Sequence, residues 1–97
     1  FYYMNIIITG ASKGIGKAIA EQFAIDGHTI LLCSRGEKTL YDTVADLQTR
    51  FPESTIKGKV CDMSNKASVL EFADFCLNHG APDIVVNNAG NFRIYSQ

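Results

Sequence analysis

The feature that most limits how this chain can fold is a glycine-rich turn between two apolar segments of different periodicity. The β-branched run Asn5–Thr9 precedes the turn and suits a buried parallel strand. After the turn, apolar residues return at helical spacing, at Ile15, Ala18, Ile19 and Phe23. Strand, turn and helix are therefore predicted to meet at the glycines.

Each glycine of this turn has a physical use. Gly10 allows a tight exit from the strand, Gly14 lets backbone N–H groups approach a phosphate, and Gly16 allows close helix–strand packing. The unpaired N–H groups and the dipole at the start of the helix favour a pyrophosphate there. We therefore predict a dinucleotide phosphate site, whose candidate cofactor-binding residues are Gly10, Ser12, Lys13, Gly14, Ile15 and Gly16.

The rest of the chain alternates short apolar runs with amphipathic ones, which predicts consecutive βαβ units and an open parallel sheet. The predicted strands are Asn5–Thr9, His28–Ser34, Thr55–Cys61 and Asp83–Asn87. The predicted helices are Gly14–Asp26, Glu37–Arg50 and a third that Ser64 caps, with Gly27, Pro52 and Gly80 as stops.

Two of the helices have a predicted buried face. In the second helix it comprises Leu40, Val44, Leu47 and Phe51. In the third helix it comprises Val69, Phe72, Ala73 and Cys76.

Composition excludes several classes of partner. The 97 residues are 46% hydrophobic and 20% charged with a net charge of −1, which is typical of a soluble globular domain and gives no reason to expect nucleic acid or a membrane. The cytoplasm is the expected location. Cys33, Cys61 and Cys76 are expected to be buried reduced thiols rather than metal ligands, and His28 and His79 to lie at the surface or in turns.

A second motif, Asn87-Asn88-Ala89-Gly90, follows the apolar run Asp83–Val86. Together with the turn from Thr9 to Gly16 it resembles the short-chain dehydrogenase/reductase family, and in particular the 3-oxoacyl-carrier-protein reductases and sepiapterin-type carbonyl reductases. The resemblance implies an α/β, Rossmann-like doubly wound parallel sheet with strand order 3-2-1-4. It also implies that Asn87 ties neighbouring strands together, while Asn88, Ala89 and Gly90 meet the cofactor's ribose. A polar turn after a strand is the alternative.

The end of the second strand favours NADP over NAD as the cofactor. NAD sites usually place an acid there, whereas this chain has Ser34 and Arg35, which suit a 2′-phosphate. Lys13 adds a second cation on the same side, and the alternative is that both cations are solvated surface charges. Glu37 is the acid that could reverse this preference, although it is expected to begin the second helix.

Asp62 and Met63 follow the third strand and have two possible roles. The family resemblance implies that the acid accepts a hydrogen bond from the adenine amino group and that the Met63 backbone meets the ring. Asp62 could equally cap the local turn into the third helix.

The resemblance also implies catalysis by a Tyr-x-x-x-Lys pair with a serine, and this sequence contains no such pair. We therefore predict that residues 1–97 are a single dinucleotide-binding domain, incomplete relative to the family, from an NADP-dependent reductase. Its substrate is expected to be a small carbonyl or alcohol compound, and its full-length form a dimer or tetramer. A non-catalytic nucleotide-binding module or natural short form is the alternative, and Arg35 argues against a methyltransferase.

Overall fold

A computed structural model of the chain describes residues 3–12 and 14–88. Within these residues four strands alternate with three helices, as the sequence predicts. Their bounds are β1 Asn5–Thr9, α1 Gly14–Ile25, β2 Thr29–Ser34, α2 Glu37–Arg50, β3 Thr55–Val60, α3 Lys66–Leu77 and β4 Ile84–Asn87.

The strands form one parallel sheet in the order β3-β2-β1-β4, which confirms the predicted doubly wound arrangement. The chain leaves β1 toward β2 on one side and later returns to place β4 on the other. Thr9 pairs with Cys33 of β2 and with Asn87 of β4, so three strands end at the same level. In such sheets, ligands bind at the carboxyl ends of the strands where the strand order reverses.

The sheet separates two apolar cores because successive strand residues point to opposite faces. On one face, α1 and α2 cover Ile6, Ile8, Ile30 and Leu32. On the other face, α3 covers Ile7, Leu31 and Cys33, and its Phe72 and Cys76 are buried there. β1 and β2 are buried on both faces, which explains why their sequences are continuous apolar runs.

The apolar residues that recur at helical spacing in α1 are not all buried. Ile15 is 71% exposed, and the residues that α1 buries are Gly16, Ala20 and Ala24. These residues recur every four positions and are small, so they let the helix backbone lie close to the sheet. Ile19 and Phe23 are half-buried beside this stripe, whereas Ala18 is exposed.

The other two helices match the predicted faces more closely. α2 buries Leu40 and Leu47 completely, with Val44 and Phe51 half-buried beside them. α3 buries Phe72 and Cys76, but Ala73 is exposed, contrary to prediction.

The predicted cap of α3 is also wrong. Asn65 is the cap, and its side-chain oxygen accepts a hydrogen bond from the Ser68 backbone N–H at 3.0 Å. Ser64 lies one residue before the cap position, and its hydroxyl donates a hydrogen bond to the Asp62 carboxylate instead.

His28 is buried, which corrects the expected surface position. Its side chain packs edge-on against Phe23, and its Nδ1 accepts a hydrogen bond from the Met4 backbone N–H at 3.0 Å. The imidazole therefore satisfies a backbone donor just before β1, a role that the sequence pattern does not reveal.

The three cysteines are buried and reduced, as predicted. Burial raises the pKa of the Cys33 thiol to about 12 and that of the Cys76 thiol to about 11. Of the helices that the structure describes, none has the length and apolar character needed to cross a membrane.

Candidate dinucleotide site

The glycine turn is fastened to the end of β2 by backbone hydrogen bonds. The N–H groups of Gly10 and Ala11 both donate to the carbonyl oxygen of Cys33, at 2.8 and 3.3 Å. Gly10 has a φ of 65°, which turns the chain away from β1 at a conformation that side chains disfavour. The turn therefore lies directly over the switch point between β1 and β4.

Gly14 and Gly16 are needed for different reasons. A Cβ on Gly16 would lie 2.5 Å from the Gly10 carbonyl oxygen and 2.9 Å from the Ala11 Cα. Gly16 thus lets the first turn of α1 touch the glycine turn. Gly14 has a φ of 64°, and a Cβ on it would have no described atom within 4 Å.

The open space at Gly14 lies where α1 begins. The first N–H groups of a helix have no carbonyl partner within the helix, and their partial positive charge favours an anion. A phosphate of a dinucleotide fits this position because no side chain among residues 3–12 and 15–88 occupies it.

Ser12 and Ser34 meet beside the turn. Their hydroxyl oxygens lie 3.0 Å apart, although the residues belong to the glycine turn and to the end of β2. Two hydroxyls hold two hydrogens, and their mutual bond uses one of them. The pair therefore retains a donor for a further acceptor.

Arg35 follows Ser34 directly and is exposed. Among residues 3–12 and 14–88 it has no hydrogen-bond or ion-pair partner, so its guanidinium is available to an anion. Its neighbour in the chain, Ser34, belongs to the hydroxyl pair, and a shared role of these three side chains toward one anion stays a prediction.

Asn87 and Asn88 join β4 to β1 and to the glycine turn. The Thr9 hydroxyl donates to the Asn87 side-chain oxygen at 2.9 Å, which is the predicted tie between strands. The same Thr9 oxygen accepts from the Asn88 backbone N–H at 2.9 Å. The Asn88 side-chain amide donates a hydrogen bond to the Gly10 carbonyl oxygen at 3.4 Å, so this side chain faces the glycine turn.

Asp62 occupies the local turn that was one of its two predicted roles. Its Oδ1 accepts from the Ser64 backbone N–H at 2.9 Å and from the Ser64 hydroxyl at 2.7 Å. The hydrogen bonds from Ser64 are the main reason that the pKa of Asp62 lies below its usual value, and the nearby charge of Arg35 lowers it further. The second role, toward adenine, stays a prediction.

Met63 packs its side chain inward. Its sulfur lies 3.6 Å from the Cys61 sulfur, against the core under α3. Its side chain is thereby engaged in packing, and contact of its backbone with a cofactor ring stays a prediction.

Three of the candidate residues cannot be placed. Lys13, Ala89 and Gly90 lie outside the described residues. Ile15 lies in the first turn of α1 with its side chain exposed. Its apolar side chain cannot bind an anion, so its backbone N–H is the group that could do so.

Sequence reasoning missed Thr43. This residue is 4% exposed on α2, and its hydroxyl donates to the Ser12 carbonyl oxygen at 3.0 Å. The only signal in the sequence is its position between Leu40 and Leu47 on the buried stripe. No cluster of three or more metal-ligating side chains occurs in the part of the chain that the structure describes.

Comparison with known proteins shows the family. Residues 4–96 match the model of the short chain dehydrogenase family. This chain belongs to the short-chain dehydrogenases. The glycine turn and the Asn-Asn-Ala-Gly motif, which carried the resemblance, both lie within the matched residues.

Several curated short-chain dehydrogenases resemble the chain in sequence. It is 38% identical over 88 residues to a chloroplastic chlorophyll(ide) b reductase of Oryza sativa subsp. japonica, covering 90% of this chain and 26% of that protein. It is 36% identical over 90 residues to an NADPH-dependent pterin aldehyde reductase of Arabidopsis thaliana, covering 92% of this chain and 36% of that protein. The chain thus spans about a quarter to a third of these relatives.

Solved structures of short-chain dehydrogenases share the fold. An NADPH-bound short chain oxidoreductase from Pseudomonas aeruginosa PAO1, described as having an atypical catalytic center, superimposes with a TM-score of 0.87 at 34% identity. The alignment covers 94% of this chain and 36% of that one. L-sorbose reductase from Gluconobacter frateurii, complexed with NADPH and L-sorbose, gives 0.87 at 31% identity, covering 99% and 36%.

Proposed function

We propose that this chain forms the NADP-binding domain of an oxidoreductase that moves hydride between a nicotinamide and a carbonyl or alcohol substrate. The observation that carries the proposal is the Ser12–Ser34 hydroxyl pair beside the glycine turn, with the exposed Arg35 directly after Ser34 in the chain. A cation and a hydroxyl donor at that point suit a 2′-phosphate, whereas NAD sites place an acid there. The NADPH named for the compared proteins agrees with this choice.

The chain's own residues would hold the cofactor in two places. The start of α1, with Gly14 and the N–H groups that follow it, would bind the diphosphate. Arg35 would pair with the 2′-phosphate, and Ser12 and Ser34 would donate to it. When bound, the nicotinamide supplies the hydride chemistry of the reaction.

The end of β4 would complete this domain. Asn88 is held against the glycine turn by its backbone N–H and its side-chain amide, close to the switch point. We propose that Asn88, Ala89 and Gly90 meet the ribose there, and that Asp62 and Met63 meet the adenine. The proposed site thereby extends along the carboxyl ends of β3, β2, β1 and β4.

Titration calorimetry tests the choice of cofactor. We expect wild-type protein to bind NADP⁺ more tightly than NAD⁺, and Arg35→Gln to weaken NADP⁺ binding by about 10-fold or more, because it removes a charge-assisted hydrogen bond. Lys38→Gln is the matched control, since Lys38 is exposed nearby but pairs with Asp42 at 2.6 Å. Equal binding of both nucleotides by wild-type protein contradicts the NADP assignment.

Turnover separates the proposed enzyme from the alternative. NADP⁺ binding by the protein at its natural length, without NADPH-dependent reduction of any carbonyl or NADP⁺-dependent oxidation of any alcohol, favours a non-catalytic nucleotide-binding module. The substrate, the dimeric or tetrameric state and the cytoplasmic location stay predictions. Relatives named as chloroplastic show that the compartment varies among similar proteins.

A further inference from the structure

Thr43 makes a long-range hydrogen bond that neither helix formation nor core packing requires. Its hydroxyl crosses from α2 to the carbonyl oxygen of Ser12, at 3.0 Å. One turn earlier in the same helix, the Thr39 hydroxyl bonds to the Gly36 carbonyl oxygen at 3.2 Å. That local bond is the usual habit of threonine in helices, whereas Thr43 reaches a different element.

The helix that carries Thr43 is firmly placed. Leu40 and Leu47, on either side of Thr43 in the buried stripe, are fully buried. Gly58 of β3 lets α2 pack closely, because a Cβ there would lie 2.8 Å from a Val44 methyl carbon. The hydroxyl of Thr43 is therefore presented to the glycine turn from a rigid support.

Ser12 connects Thr43 to the proposed 2′-phosphate site. Its carbonyl is held by Thr43, and its own hydroxyl lies 3.0 Å from that of Ser34. A hydroxyl's direction depends on the backbone that carries it, so a shift of the Ser12 backbone would disturb its hydroxyl contact with Ser34. Among the described residues, Gly14, where we propose the diphosphate, has no such bond to Thr43.

We propose that Thr43 is a positioning residue for selection of the 2′-phosphate. It acts through Ser12 and does not touch the nucleotide. The proposal rests on the proposed NADP function and names a determinant of its selectivity that lies outside the glycine turn and the end of β2.

The test measures NADP⁺ and NAD⁺ binding to the protein at its natural length, in wild-type form and as Thr43→Val and Thr43→Ser. Valine keeps the shape of threonine and removes the hydroxyl, whereas serine keeps the hydroxyl. Losing the hydrogen bond should weaken NADP⁺ binding about three- to tenfold and NAD⁺ binding less than about twofold. Thr43→Ser should return the NADP⁺ affinity to within about twofold of wild type.

A double-mutant cycle tests whether Thr43 acts through Ser12. In a Ser12→Ala background the hydroxyl pair is already lost, so Thr43→Val should change NADP⁺ affinity by less than about twofold. If Thr43→Val does not fold, as circular dichroism would show, Thr43→Ala against Thr43→Ser gives the same comparison of hydroxyl loss and retention.

Four results overturn the inference. An equal loss for NADP⁺ and NAD⁺ shows a general structural role, and an unchanged NADP⁺ affinity in Thr43→Val shows no role. Wild-type protein without preference for NADP⁺ removes the proposed function, and this inference with it. Wild-type selectivity that survives Thr43→Val overturns this inference alone.

Discussion

At the residue scale, the glycine turn combines two demands that look alike in the sequence. Gly16 is required by packing, because a Cβ would overlap the Gly10 carbonyl oxygen. Gly14 is required by its positive φ and borders open space, where we propose a phosphate. Substitutions at the two positions should therefore fail in different ways.

Gly16→Ala should destabilise the fold by about 1–3 kcal/mol, because backbone atoms cannot move aside as easily as a side chain. Urea unfolding of the variant and of wild-type protein measures this change. Ile15→Ala is the control on the same helical turn, and its exposed side chain predicts a change within about 0.5 kcal/mol. Equal stability of Gly16→Ala and wild-type protein would contradict the packing role.

The sequence could predict where the glycine turn and the end of β2 lie, because their places follow from position along a βαβ unit, while the cofactor roles of Ser34 and Arg35 stay predictions. It could not predict Thr43 or His28, since their hydrogen bonds join segments 31 and 24 residues apart. A threonine in a buried stripe and a histidine beside a glycine give no local sign of such partners. Ile15 belongs to the apolar pattern of α1 yet is exposed, and the residues that α1 buries against the sheet are small.

At the element scale, α3 shows how a neighbouring turn decides where a helix begins. Asp62 takes both the backbone N–H and the hydroxyl of Ser64, so the capping role moves to Asn65. Both Ser64 and Asn65 are acceptable cap residues, and the sequence alone did not separate them.

Asn65→Ala should lower the free energy of unfolding by about 0.5–2 kcal/mol, because the Ser68 N–H loses its cap. Ser64→Ala should cost less, since it removes an exposed hydrogen bond to Asp62 and leaves the cap intact. Chemical denaturation of both variants gives the comparison. A larger loss of unfolding free energy in Ser64→Ala than in Asn65→Ala would indicate that Ser64 is the cap residue.

The core beneath α3 should weaken at alkaline pH. Burial raises the pKa of the Cys76 thiol from 9.0 to about 11, and that of Cys33 from 9.0 to about 12. Above about pH 9 the unfolded chain loses these protons while the folded chain keeps them, so ionisation favours unfolding. The stabilisation is complete below pH 9 and is lost as the pH rises toward the folded values.

Cys76→Ala should therefore lose less stability between pH 8 and pH 10 than wild-type protein does, whatever its stability at pH 8. Denaturant midpoints at both pH values measure the difference. Leu77→Ala, on the same helix at a position 62% exposed, should keep the wild-type pH dependence. Identical pH dependence in Cys76→Ala and wild-type protein would contradict this account of the buried thiol.

At the scale of the whole molecule, β4 forms one edge of the sheet. In the described part of the chain no strand pairs with its outer side, and Val85 is 60% exposed. An apolar parallel strand normally lies inside a sheet, and an open edge invites pairing with another chain. The opposite edge, β3, carries Lys57 and Lys59, charges that discourage such pairing.

A polypeptide limited to residues 1–97 should therefore self-associate through β4, and Val85→Lys should shift it toward monomer. Analytical ultracentrifugation over a concentration series measures the shift. Ile25→Lys makes the same charge change on α1, also at 60% exposure, and should leave association unchanged. An equal effect of both lysines would indicate net charge rather than the strand edge as the cause.

The sheet order, the ends of β1, β2 and β4, and the glycine turn converge on a single claim, a site for NADP. A crystal structure of the natural-length protein with NADP⁺ tests it most directly. We expect the diphosphate beside Gly14 and the 2′-phosphate within hydrogen-bond distance of Arg35 and of the Ser12–Ser34 pair. A 2′-phosphate directed into solvent, with Arg35 turned away from it, would contradict the account.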